Sequence, residues 1–116
     1  MKIIAKYHAL YDPPLLQLTI HDAPHRRMHI KIIQQYRKVL YEAVSHTSIG
    51  KHLPIDHDID LDVLFINGST PDLGNAYLAL EQALDDTTLT KPGIVLDDSL
   101  IQKVTMAKWI TIPKKK

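Results

Sequence analysis

Two short acidic stretches carry the residue types best suited to chemistry. One is PDLGN (71–75), where Asp72 and Asn75 flank Gly74 at the start of a helical pattern. The other is VLDDS (95–99), where Asp97 and Asp98 are adjacent, and Lys108 follows ten residues later. Clustered carboxylates supply the hard oxygen ligands that Mg²⁺ prefers. A divalent ion held that way activates water and neutralises charge on a phosphodiester. The same residues have plainer readings. Asp72 fits an N-cap, and Asp97 and Asp98 fit a turn before a strand. Metal chemistry requires the two stretches to meet. If the strands containing Val63 and Met106 are neighbours, both are expected at one end of the sheet.

The elements that must position them follow from periodicity. Residues 2–10 and 15–21 are rich in apolar residues and separated by a YDPP breaker, which predicts two strands. From residue 28 to 44, Ile30, Ile32, Ile33, Tyr36, Val39, Leu40, Ala43 and Val44 recur mostly at helical spacing. Residues 45–54 read as a loop. IDHDIDLDVLFI (55–66) alternates, with Ile55, Ile59, Leu61, Val63 and Phe65 on one side and Asp56, Asp58, Asp60 and Asp62 on the other. That predicts a half-buried strand with an acidic, solvated face, partnered by Lys or Arg from a neighbouring strand. A turn at 67–71 leads into a helix over 72–86, with Leu73, Ala76, Tyr77, Leu80, Ala83 and Leu84 as its stripe. A loop over 85–93 and a short apolar piece at 94–96 precede a last strand at 100–112. The order β-β-α-β-α-β predicts one small α/β (α+β) domain over residues 1–116, with a mixed sheet and two main helices. Residues 1–14 form a strand extension and 113–116 a basic tail.

The 116 residues are 45% hydrophobic and 23% charged, the balance of a globular domain able to bury one core. With no cysteine, disulfides and thiolate metal sites are excluded. The N-terminal apolar run is too short for a signal peptide and no stretch is long enough to cross a bilayer, so a cytoplasmic location is expected. The net charge of +1 conceals segregation. Residues 1–53 hold eight Lys or Arg against three acids, and residues 54–98 hold ten acids against Lys91 alone. Residues 99–116 hold five lysines and no acid. Basic flanks around an acidic middle suit a metal-dependent enzyme acting on a polyanion. Arg26 and Arg27, in HDAPHRRMH, are candidate phosphate contacts. His21, His25 and His29 recur every four residues, but Pro24 argues against the continuous helix a zinc site would need. Tyr36 and Trp109 suit a core or a subunit interface better than base stacking.

Taken together, PDLGNAYLALEQAL, PGIVLDDSLIQKVTMAKW and the upstream HDAPHRR, QYRKVLYEAV and LPIDHDIDLDVLF segments resemble the RusA-type Holliday junction resolvases over about residues 15–110. The resemblance implies a homodimeric, Mg²⁺-dependent (or Mn²⁺-dependent) endonuclease that nicks four-way DNA junctions symmetrically, of a kind typical of phages. It implies metal ligation by Asp72 and Asp98, catalytic roles for Asp72, Asp97, Asp98 and Lys108, and DNA contacts from Arg26, Arg27, Asn75 and Lys108. Two positions depart from the family pattern. Gly74 stands where D-L-D-N has its second Asp, and Leu78 stands where the family usually has a lysine. A substitute carboxylate is expected from the strand acids, Asp62 first. The departures also admit a branched-DNA-binding protein impaired in cleavage, or an interaction module sharing only the fold.

Overall fold

The computed structural model describes residues 1–23, 30–66, 73–85 and 93–109. Strands β1 (Lys2–His8), β2 (Leu15–His21), β3 (Ile59–Ile66) and β4 (Ile101–Trp109) form one sheet in the order β1-β2-β3-β4. The pair β1/β2 is antiparallel, while β2/β3 and β3/β4 are parallel, so the sheet is mixed. Helices α1 (Ile30–Val44) and α2 (Leu73–Leu84) serve as the crossovers that parallel neighbours require. The result is the small α+β domain that the patterning predicts.

Alternation places the core. Ile3, Leu16, Leu18, Ile20, Leu61, Val63 and Phe65 are buried on one sheet face. Tyr36, Leu40 and Val44 of α1 and Ala76, Ala79, Leu80, Ala83 and Leu84 of α2 join the same core cluster. Burial pushes the Tyr36 phenol up to about 12. No described helix covers the other face. That face carries aligned rows, among them Lys6–Gln17–Asp62–Thr105 and Lys2–His21–Ile66–Trp109.

The strand expected from residue 55 begins instead at Ile59. Residues 55–58 are drawn away from the sheet. The Ile55 N–H donates to Ile94 O at 2.7 Å, and Leu96 N–H donates to Ile55 O at 2.9 Å. The expected loop over 45–54 contains a 3-10 turn, Ser48–His52, folded against the end of α1. Gly50 permits that approach, because a Cβ there would lie 2.7 Å from the Ser45 Cα and 2.9 Å from Val44 O. β1, read from sequence as an extension, pairs with β2 along its whole length and closes one side of the sheet.

Arg37, on the polar face of α1, ties the two helices together. Its Nη2 donates to Gln82 O at 2.8 Å and Asp85 O at 3.1 Å, and its Nε to Ala83 O at 3.1 Å. These are carbonyls that the end of an α-helix leaves without intrahelical partners, at the negative end of its dipole. Arg37→Ala should lower stability by about 2–3 kcal/mol, as charge-assisted bonds are lost and carbonyls are left bare. Arg37→Lys should recover less than half of that, since an ammonium cannot reproduce the fork. Urea denaturation of the three proteins checks both values. Gly50→Ala should cost about 1–3 kcal/mol in the same assay, because backbone atoms of residues 44 and 45 must give way.

Candidate functional site

The strands holding Val63 and Met106 are neighbours, and those two residues are register partners. They run parallel, however, which corrects the expected gathering at one end of the sheet. The chain leaves β3 at Ile66 toward α2, whereas the Asp97–Asp98 turn enters β4 at the opposite, N-terminal end. An antiparallel pair would have put both at the same end. Asp98 is instead brought against α2, because the helix returns across the sheet toward the strand N-termini. The charge of Asp98 is felt by Tyr77 and Glu81, which sit one turn apart on the helix.

Local bonding explains how the turn is held. The Leu84 carbonyl accepts from the N–H groups of both Ile94 and Val95 at 2.8 Å, fixing residues 94–96 to the end of α2. Asp97 then caps the one-turn helix Asp98–Leu100, its Oδ1 accepting from Ser99 N–H at 3.1 Å. That backbone bond, followed by a bond from the Asp98 side chain, holds the exposed Asp97 carboxyl below the usual carboxylate range. Gln102, the extra residue where the β3/β4 register shifts, braces the turn by donating to Ser99 O at 3.0 Å and Asp58 Oδ1 at 3.3 Å. So the two acids divide their work. One oxygen of Asp97 is used in capping, and Asp98 is left facing α2.

Glu81 is the residue that sequence reasoning missed. Its carboxyl is pushed up, first by desolvation and then by the charges of Asp98 and Asp85. Tyr77 is pushed up by desolvation, then by Glu81 and Asp98, so it keeps its hydroxyl proton at neutral pH. The available signal was the Tyr77–Glu81 spacing of four at the edge of the apolar stripe. Nothing in the linear sequence says that this edge meets residue 98.

The remaining candidates separate. Lys108 is the register partner of Phe65, seven residues beyond Ile101. At strand rise that is ~23 Å from the start of β4, so Lys108 and the Asp97–Asp98 turn do not share a centre. Asp62 lies on the uncovered sheet face, where Gln17 Nε2 donates to its Oδ2 at 3.3 Å and His8 Nε2 meets Gln17 Oε1 at 2.6 Å. It lines a groove of about 260 Å³ with Lys6 and Thr19, on the side of the sheet away from α2. Asp62, the carboxylate expected to stand in for the missing acid, is therefore not on the face that α2 and Glu81 occupy. Asp60 faces Lys103 across β3/β4, as a solvated acidic strand face requires. Leu78 is 45% exposed. Asn75 and Gly74 stand in the first turn of α2. Asp72, Arg26, Arg27, His25 and His29 lie outside the described residues.

Among the described residues, no group of three or more His, Asp or Glu side chains is arranged to hold a metal ion. The pair Asp98 and Glu81 still suits Mg²⁺, which is commonly bound through one or two carboxylates with substrate phosphates completing the shell. No described helix is long and apolar enough to cross a membrane. The chain matches no family model, no curated protein and no solved structure.

The raised Glu81 carboxyl has a defined consequence for stability. Its folded-state value exceeds the unfolded one, so the native state binds more protons between the two. Stability is therefore lost as pH rises through the unfolded Glu range up to the folded value. Glu81→Gln should raise the Tm at pH 7, by ~1–3 °C, and the difference should vanish when melting is repeated below pH ~4.

Proposed function

We propose that the protein is a Mg²⁺-dependent endonuclease acting on branched DNA, four-way junctions in particular, as a homodimer. The observation that carries this reading is the nearness of Asp98 to Glu81 of α2, where desolvation first and then the Asp98 charge push the Glu81 carboxyl up. Perturbed acids of this kind mark sites built to hold charge. The resemblance of PDLGN and VLDDS to the RusA-type pattern supplies the substrate class.

In this reading Asp98 and Glu81 are the carboxylate ligands. Bound there, Mg²⁺ would supply an activated water and a counter-charge for the phosphodiester. Glu81 takes the place of the acid that Gly74 lacks. Tyr77, with its proton retained, is a neutral donor for a phosphate oxygen. Asp97 positions Asp98 by fixing the turn through Ser99, a supporting role in place of direct catalysis. Lys108, together with Arg26, Arg27 and Asn75, is assigned to DNA contacts away from the reacting phosphate, where such contacts set register without reading sequence. The dimer presents two sites related by a two-fold axis, as symmetrical nicking requires.

A second reading is favoured by Leu78, which leaves this stretch of α2 without the family's lysine. It is a branched-DNA-binding protein impaired in cleavage. A labelled four-way junction incubated with Mg²⁺ or Mn²⁺ decides between them. Paired nicks should appear with the wild type and fall by at least ~10²-fold in Asp98→Asn and in Glu81→Gln. Leu78→Lys should increase the rate. Salt-sensitive junction binding without nicking in either metal selects the second reading. Equal affinity for junction and linear duplex removes both.

A further inference from the structure

We propose that β4 is a self-pairing edge, and that two copies of this chain join through it antiparallel, centred on Met106, to make one continuous eight-stranded sheet. This takes up the two-fold assembly of the preceding reading but is tested apart from cleavage.

β4 is the outermost strand beyond β3, and among the described residues no strand pairs with its free side. It is nine residues long and contains no proline. About half of its backbone N–H and C=O groups point away from β3, where an added strand could meet them. Its apolar residues also run past the helix layer. α1 packs over β1, the other edge, while α2 touches β4 only lightly. Val104, on the helix-covered side, is 39% exposed, and Trp109, on the open side, is 57% exposed. An open edge is a template for another strand, and Lys103, Lys108 and the bulge at the start of β4 restrict which strand can join it.

Symmetry and charge identify a second copy as that strand and fix its register. Two copies of one edge related by a two-fold axis normal to the sheet pair antiparallel and keep both helix layers on one side. Each register is then named by the residue on the axis. The bulge at Ile59/Asp60 ends the regular ladder, leaving 103–109 as the even stretch. An axis through Lys103 or Lys108 would set lysine against lysine. An axis through Thr105 would push the second strand into the bulge. An axis through Met106 pairs all seven residues. On the helix side Met106 meets its own copy and Val104 lies along the Lys108 stem. On the open side Thr105 meets Ala107, and Lys103 meets Trp109 twice, a cation–aromatic contact. The contact is of the smaller interface class, under ~1,200 Å², so the dimer should dissociate reversibly with a Kd that is roughly micromolar.

The chain has no cysteine, so introduced thiols report cleanly. At the axis, facing Cβ atoms lie ~4.5–5.5 Å apart, near disulfide range. Under mild oxidation Met106→Cys should give a covalent dimer at least ~10 times faster than Lys38→Cys on the exposed face of α1. The exposed pair Thr105→Cys/Ala107→Cys should do the same if the methionine variant folds poorly. In sedimentation the wild type should dimerise reversibly. Val104→Lys, which opposes Lys108 of the second copy, should weaken the dimer roughly tenfold with unchanged circular dichroism. A monomer at all concentrations, or cysteine variants on β4 that cross-link no faster than Lys38→Cys, overturns the inference. A dimer that forms elsewhere and still cleaves junctions overturns it while leaving the nuclease reading intact. A β4-linked dimer that does not cleave supports the inference while the nuclease reading falls.

Discussion

The end of α2 is where this domain is knotted together. Arg37 reaches from α1 to the Gln82, Ala83 and Asp85 carbonyls, and the Leu84 carbonyl accepts from Ile94 and Val95. A helix terminus left bare would cost free energy for every buried carbonyl without a donor. Here one guanidinium and one extended segment supply the donors. The same bonds fix three things at once: the pairing of the two helices, the path of residues 94–96, and the point at which the chain turns into β4. Ile55 is drawn into this junction through Ile94 and Leu96, which is why β3 starts four residues later than its alternating sequence suggests.

That junction sets what the acidic turn can face. Because β3 and β4 are parallel, the Asp97–Asp98 turn and the entry to α2 fall at opposite ends of the strands. The helix bridges the difference by running back over the sheet. From Leu73, Tyr77 lies ~6 Å and Glu81 ~12 Å along its axis, so Asp98 meets the second and third turns of the helix. Two adjacent acids of identical type thereby acquire different surroundings. The Asp97 carboxylate is engaged by Ser99 N–H and drawn down, whereas Asp98 presses on Glu81 and pushes it up. Residue type alone does not separate them. The backbone donor beside one and the helix beside the other do.

The sequence made the elements legible to within a few residues, because each is strongly periodic. Tyr36, Leu40 and Val44 recur at spacing four and are buried, and Leu61, Val63 and Phe65 alternate and are buried. Adjacency of the Val63 and Met106 strands stood only as a condition, and neither it nor their parallel direction was legible. Periodicity is the same for parallel and antiparallel strands, and only the crossover geometry fixes the direction. Glu81 and Arg37 were hidden for a related reason. Each looks like an ordinary polar position on a helix face, and each gains its role from a segment more than a dozen residues away. Of the four acids expected on one strand face, Asp60 and Asp62 share the uncovered face, half-buried, while Asp56 and Asp58 precede the strand.

Placing Glu81 near Asp98 works against folding at neutral pH, because desolvation and then the Asp98 charge raise the cost of ionising Glu81. A globular domain has cheap ways to avoid this. A glutamine at position 81 keeps the helix, the length and the hydrogen-bonding capacity without the charge. The cap of the turn itself comes from Asp97, whose Oδ1 accepts from Ser99 N–H. The strain is also local. On the far face Asp60 is the register partner of Lys103 and Asp62 accepts from Gln17, so the acids of β3 have polar or basic neighbours. At the acidic turn, by contrast, the bonded end of α2 holds Glu81 where desolvation and the Asp98 charge both raise its carboxyl.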